Sequence, residues 1–437
     1  MTKSQLSFRL RQNAPQSVRK DSRKEGHKKS LKADVSKTEG NSNSAGLLFP
    51  AGDTAFKTIL SARFCAAIWS YITDCDETFN YWEPMHYLVF GKGLQTWEYS
   101  PEYGLRSYLY LMVHAVPAWI YNKLLQPNPI LIFYFTRCLL GLIWPYVKIQ
   151  PFCPQVLPCI QPLQLVQHGG SKSMHWQYFF TALGSLLGWP FAALLGVPIA
   201  FDMLFRKKLY TDFVAWSAIS ALVILLPIVI IDSMIYGCIT VAPFNIVKYN
   251  IFGGAGPNLY GTEPFSYYLI NGFLNFNFVW VLALVSPFMI TLNYYFVPSK
   301  NKSTLYLPYW LSLSPMFLWL AVFMVQEHKE ERFLFPIYPL ICLICSKRIS
   351  PGMHYLDKTL FIMIGVIAVT SWLGISRVFA LYRNYHAPFD LMMELNRYPV
   401  ETKVPDKAHV NVCIGKDWHR YPSSFFLPNT NWNVYDL

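Results

Sequence analysis

Paired carboxylates and one run of mixed charge are the residues of this 437-residue chain best placed to do chemistry. Asp76 and Glu77 are adjacent in DCDETFNYWEP. One carboxylate of such a pair can remove a proton from a hydroxyl while the other orients it or binds a neighbouring hydroxyl. Desolvation of so close a pair raises one of the two pKa values toward the range of a useful base. Between Asp74 and Arg106 six carboxylates are interleaved with Phe79, Tyr81, Trp82, Trp97 and Tyr99, rings against which sugars can stack. The alternative is an acidic loop that faces water. A second set is the run from Gln326 to Phe333, where His328, Lys329 and Arg332 could grip a phosphate and stabilise the charge that develops on a leaving group. A solvated run whose acids and bases neutralise one another is the competing reading. The third is the stretch from Tyr236 to Tyr268. Its glycines invite a phosphate cradle, but no GK[ST] follows, which excludes a nucleotide loop. Glu263 and the tyrosines around it could line an acceptor groove, together with Tyr81, Trp82, Glu83 and Trp97.

No metal site is expected. Cys342 and Cys345 have CxxC spacing, but they sit in an apolar run without a second pair, the setting of buried thiols rather than zinc ligands. A disulfide between Cys75 and Cys238 is a further option, should both face an oxidising compartment.

The elements that must position these residues are membrane helices. The chain is 53% hydrophobic and only 14% charged, which points to an all-α polytopic membrane protein rather than a soluble domain. Apolar runs predict spans at about 56–72, 105–125, 129–149, 178–204, 213–231, 269–292, 307–325, 333–343 and 360–381. The membrane catalytic domain is thus 51–382, with polar loops at 73–104 and 232–267. Residues 145–176 are atypical, broken by prolines and a Gly-Gly pair, and read as a region from which helices are missing. Residues 383–437 read as a small, mixed, truncated segment on the far side, with HVNVCIG as a strand.

Residues 1–50 carry eleven Lys/Arg against four acids, a disordered basic tail whose charge fits retention in the cytosol better than binding to nucleic acid. With that tail inside, Arg206–Lys208, Lys300–Lys302 and Lys347–Arg348 also fall inside. The loops that begin at Asp74, Asp232 and Gln326 all fall on the opposite face. The sequon at Asn301 would then lie in the cytosol, unused.

Five longer blocks carry a resemblance: TDCDETFNYWEPMHYLVFGKGLQTWEYSPEYGLRSYLY, LLGWPFAALLGVPIAFD, APFNIVKYN, GPNLYGTEPFSYYLINGFLNFN and HKEERFLFPIYPLICL. In these the chain resembles glycosyltransferase family 22 of the GT-C superfamily, in its branch of endoplasmic reticulum mannosyltransferases that act in N-glycan precursor assembly. The resemblance implies a multi-pass enzyme of the endoplasmic reticulum membrane with a lumenal active site. It implies transfer of mannose from dolichyl phosphate mannose to the 2-hydroxyl of a terminal mannose on a dolichyl-pyrophosphate oligosaccharide, with inversion. The family's acidic pair falls on Asp76 and Glu77, and its donor-phosphate side on His328, Lys329 and Arg332. No cofactor, nucleotide sugar or metal is implied, and the partners are the two lipid-linked substrates and the bilayer. Relatives are longer across the region of 145–176 and beyond Leu437, so an inactive or truncated variant is an open alternative, as is a transferase for a glycolipid anchor. A transporter would place more polar residues along the spans.

Overall fold

The computed structural model describes residues 52–72, 74–149, 171–253, 258, 261–296, 302–344, 359–402, 409–416, 418–429 and 431–436. The basic tail, most of the atypical 145–176 region and Asn301 lie outside the described residues. By internal packing, residues 56–437 form one unit and residues 1–55 another. The larger unit is described below.

Its described residues form helices, save for two short strands. Among the described residues three helices are long and apolar enough to cross a membrane: Tyr210–Tyr236, Phe278–Phe296 and Ile364–Tyr385. The first helix, α1 (Gly52–Trp69), leads into a composite helix. That composite begins as α2 (Cys75–Glu77), widens into a π-turn (Thr78–Trp82) and continues as α3 (Glu83–Phe90). Then come α4 (Tyr108–Leu125) and α5 (Pro129–Ile149).

Here the structure departs from the expected spans. Arg137 of α5 donates to the Ser70 carbonyl at 2.7 Å and approaches that of Ala66 at 3.4 Å. One turn further along α5, Gly141 faces Arg63 and Ala67 of α1. Rising numbers in α5 meet falling numbers in α1, so the two helices run antiparallel. Residues 70–128 therefore leave and return to the same end of the α1–α5 pair, whereas the expected spans place a crossing at 105–125 between them.

The expected span at 178–204 is also not a single crossing. α6 (Ser171–Leu183) ends in a π-turn (Gly184–Gly188). Trp189 is extended, at φ −125° and ψ 115°, and Pro190 opens a 3-10 segment (Pro190–Gly196). α7 (Val197–Phe201) follows. A Cβ at Gly196 would lie 2.6 Å from Thr181 Cγ2. The return arm thus packs back against α6, and only a glycine fits at the contact. The whole forms a helical hairpin with Trp189 at its tip.

From there α8 (Tyr210–Ser220) and α9 (Leu226–Tyr236) form one long helix through a π-turn. α10 (Ala242–Val247) and α11 (Tyr267–Phe276) lie in the next connection, before α12 (Phe278–Phe296) and α13 (Lys302–Val325). The predicted short span at 333–343 is helical from Glu331 onward, as a 3-10 segment (Glu331–Ile337) that runs into residues 338–344. α14 (Thr359–Tyr385) and α15 (Ala387–Thr402) follow. The strand expected in HVNVCIG is β1 (Val410–Ile414). It pairs in parallel with β2 (Trp432–Asp436), with Val410 opposite Trp432.

Two of the apolar clusters among the described residues are large. One gathers Trp280, Trp319, Leu334, Ile337 and Ile341. The other gathers Trp82, Met85, Ala118, Phe133, Phe389, Phe425 and Phe426. The second core draws together the first loop, the start of α5 and the C-terminal segment, which is not a separate body.

Candidate active site

The first loop is built to present carboxylates. Asp74 caps α2, accepting from the Asp76 backbone N–H at 3.0 Å. Asp76 and Glu77 fall in the first turn, where the helix dipole favours negative charge. Both aspartates then reach across to the segment after α13. Arg332 Nη1 lies 3.1 Å from Asp74 Oδ2, and Nη2 lies 2.5 Å from Asp76 Oδ2. The guanidinium's Nε is paired with Glu330. One arginine therefore holds three carboxylates, and the Asp76 side chain keeps 38% of its surface open. Asp74, Cys75 and Asp76 form the one grouping of metal-ligating atoms within 4.8 Å among the described residues. Both of its carboxylates are bound to Arg332.

Glu77 turns the other way. Its carboxylate accepts from Trp82 Nε1 at 3.0 Å, a contact that the five-residue π-turn brings into register. Burial raises its pKa above the ordinary 4.5, opposed by the Trp82 hydrogen bond and the nearby charge of Arg137. The acidic pair is thus divided between two settings, one open and one enclosed.

The other expected donor-side residues are buried and hydrogen-bonded within the protein. His328 is buried, with Nδ1 2.8 Å from the Gly261 carbonyl and Nε2 3.0 Å from Glu330 Oε1. Lys329 is buried too, and its ammonium donates to the Glu263 carbonyl at 2.9 Å and to that of Gln326. These two side chains fasten the segment before Arg332 to the loop at 261–263. The Glu263 carboxylate itself is exposed.

Among the expected acceptor residues, Tyr81 and Trp97 present open ring surface. Tyr81 lies beside Tyr110 and under the guanidinium of Arg106, which is paired with Glu98. Trp97 packs edge-on against Tyr103. Trp82 and Glu83, by contrast, are core residues. Trp82 stands 4.3 Å from the Phe133 ring. Glu83 is fully buried, and accepts from Ser423 Oγ, Ser424 N, Ser424 Oγ and Leu94 N at 3.0, 2.5, 2.8 and 3.0 Å. A carboxylate with every lone pair engaged supports the loop and has none left for a sugar hydroxyl.

A third connection closes the same end of the molecule. Buried Asp232 accepts from Tyr108 N at 2.8 Å and Ser107 Oγ at 3.2 Å, and so caps α4 from another helix. Tyr236 OH donates to the Arg106 carbonyl at 2.7 Å. Gly104 sits at φ +50°, and a Cβ there would come within 2.8 Å of Thr240. The disulfide that the sequence left as an option is not formed: Cys75 and Cys238 are both free thiols.

The structure adds residues that the sequence reading passed over. Asp74 shares Arg332 with Asp76, and Arg137 satisfies the last carbonyls of α1, which helix geometry leaves without partners. An arginine in the apolar run at 129–149 was the available signal for the second. No local signal marks Ser423 and Ser424 as partners of Glu83.

Residues 54–152 and 156–428 match the Alg9-like mannosyltransferase family. The chain is 48% identical over 439 aligned positions to alpha-1,2-mannosyltransferase Alg9 of Drosophila melanogaster, covering 89% of this chain and 70% of that protein. It is 44% identical to the Mus musculus protein of the same name, covering 90% and 72%, and 43% identical to that of Homo sapiens, covering 91% and 73%. No solved structure matches. The match takes in the Asp74–Asp76 loop and the Arg332 segment alike, and at this identity the conclusion is direct: the chain belongs to the Alg9-like mannosyltransferase family.

Proposed function

We propose that this enzyme transfers mannose from dolichyl phosphate mannose to the 2-hydroxyl of a terminal mannose on a dolichyl-pyrophosphate-linked oligosaccharide, at the lumenal face of the endoplasmic reticulum membrane. The linkage is the one in the relatives' names, and the donor and acceptor are those that the family resemblance implies. The observation that carries the reading is the convergence of Asp74 and Asp76 on Arg332 from two distant segments.

In this scheme Asp76 takes the proton from the acceptor 2-hydroxyl as its oxygen attacks the mannose C1. The bond from C1 to the phosphate oxygen breaks, and dolichyl phosphate leaves from the opposite side with inversion. Arg332 aims the Asp76 carboxylate from the donor side without binding the phosphate itself. His328 and Lys329 serve that side by holding the shape of the turn. Tyr81 and Trp97 offer ring surface for the acceptor sugar, with Glu263 at the margin. The reaction so written needs no metal or other cofactor, so a chelator is expected to leave the rate unchanged.

The test is to supply the purified chain with dolichyl phosphate mannose and a defined lipid-linked oligosaccharide, and then digest the product with a linkage-specific mannosidase. Release of the added mannose by an α-1,2-specific enzyme is expected. No transfer, or a product resistant to that enzyme, would overturn the assignment.

A further inference from the structure

We infer that Arg377, a residue of α14, is the cation that receives the phosphate of the lipid-linked sugar donor, an assignment that rests on the reaction proposed above. The accounting of hydrogen bonds leads there. His328 and Lys329 are buried and bound to loop carbonyls, save for one His328 contact with Glu330. Arg332 faces Asp74, Asp76 and Glu330 at once, so a phosphate that approached it would meet three carboxylates around one guanidinium.

Arg377 is different. The atom nearest to it in an ion pair is Glu331 Oε1, at 4.0 Å, and its side chain is 31% exposed. That distance is beyond hydrogen-bond reach, and the same oxygen already accepts from Asn275 Nδ2 at 2.7 Å. Among the described residues Arg377 donates no side-chain hydrogen bond. A guanidinium has five donors in a fork that matches phosphate oxygens. With one long ion pair and no hydrogen bond to its fork, a guanidinium on an apolar helix is costly unless an anion comes to it.

The helix that carries it suits a polyisoprenyl donor. The span Ile364–Tyr385 has none of its residues buried within the protein, so its apolar faces are open along their length to a lipid chain. At the upper end Tyr385 stacks on Tyr71, with ring centroids 5.9 Å apart and planes within 7°. Tyr71 leads directly into the Asp74 loop. Arg377 lies about two turns, or ~12 Å, below that stack, and its long side chain can reach upward toward the polar face. It adjoins Glu331, the residue next to Arg332. A donor lying along α14 would present its phosphate to Arg377 and its mannose toward Asp76.

The experiment compares the full-length wild type with Arg377→Gln and Arg377→Lys in nanodiscs, with and without anionic phospholipid, and measures KM for dolichyl phosphate mannose and for the lipid-linked oligosaccharide separately. Arg377→Gln is expected to raise the donor KM about tenfold, equivalent to ~1.4 kcal/mol, with the acceptor KM unchanged in both lipid mixtures. Arg377→Lys keeps the charge without the fork, so a rise of about threefold is expected; it is the variant to read should the glutamine chain fail to accumulate. An unchanged donor KM would mean that Arg377 meets only bilayer headgroups, and a rise confined to the acceptor would move it to the acceptor pyrophosphate. Either result overturns the inference. A wild type that transfers no mannose would instead overturn the proposed reaction. Binding of dolichyl phosphate to the same three chains would then still test Arg377, with equal affinity counting against it.

Discussion

Asp76 is held by Arg332 yet keeps open surface, which is what a base needs if it is to be aimed and still reach a substrate. Asp76→Asn preserves size and one acceptor oxygen for Arg332 but removes the base. Single-turnover transfer is expected to slow by about 10²–10⁴ while the chain folds and inserts normally. A wild-type rate would place the base elsewhere. Glu77 sits in the opposite setting, and its effect falls on stability. Its pKa is raised above 4.5 by burial, so the folded state holds a proton that the unfolded state has already released as pH climbs past that value. Its contribution is complete below 4.5 and is lost as pH rises through the raised value. Glu77→Gln mimics the protonated form, so its Tm should match wild type at low pH and exceed it increasingly above. A Tm difference that does not change with pH would show that Glu77 does not titrate in this way. Adjacency made the pair legible in the sequence. Its division into one open and one enclosed carboxylate was not, because it depends on Arg332 and Arg137, residues that only the fold brings near.

The composite helix from α2 through α3 is held at two places. At one end Asp74 and Asp76 meet Arg332. Beyond the π-turn Glu83 is fixed by Ser423 and Ser424, and Thr78 Oγ1 donates to the Pro422 carbonyl at 2.9 Å. Removing the Glu83 carboxylate would leave buried donors unsatisfied. Glu83→Ala is therefore expected to cost about 3 kcal/mol of stability. A double-mutant cycle with Ser424→Ala should show a coupling of about 1–2 kcal/mol. Simple additivity would mean that the clamp does not act as a unit. The apolar runs were readable from local pattern. Trp82 and Glu83 looked like sugar contacts for the same local reason, since an aromatic next to a carboxylate in a polar loop has that composition. The segment that buries them lies near the far end of the chain, and no periodicity announces such a contact.

For the whole molecule, two departures from the hydropathy pattern offset each other. α1 and α5 run antiparallel, with 70–128 returning to one end of that pair. The 178–204 stretch goes out and comes back, since Gly196 packs on Thr181. With α1, α5 and both arms of that hairpin taken as crossings, one crossing is removed and one added, and the basic turn at 206–208 is predicted on the face opposite Asp76, as the charge bias requires. Hydropathy alone could not separate these cases, because a helix packed over a protein core and one that spans lipid are both apolar, and a Trp-Pro step inside an apolar run resembles a kink as much as a hairpin tip. Sidedness separates them. Single cysteines at Glu102 and Gln126, both exposed, placed before and after α4 in a chain otherwise free of cysteine, should react with an impermeant maleimide from the same face of sealed vesicles. If α4 spanned the bilayer, the two would react from opposite faces. The second core would then be impossible, because Phe133 just beyond Gln126 could not reach Trp82.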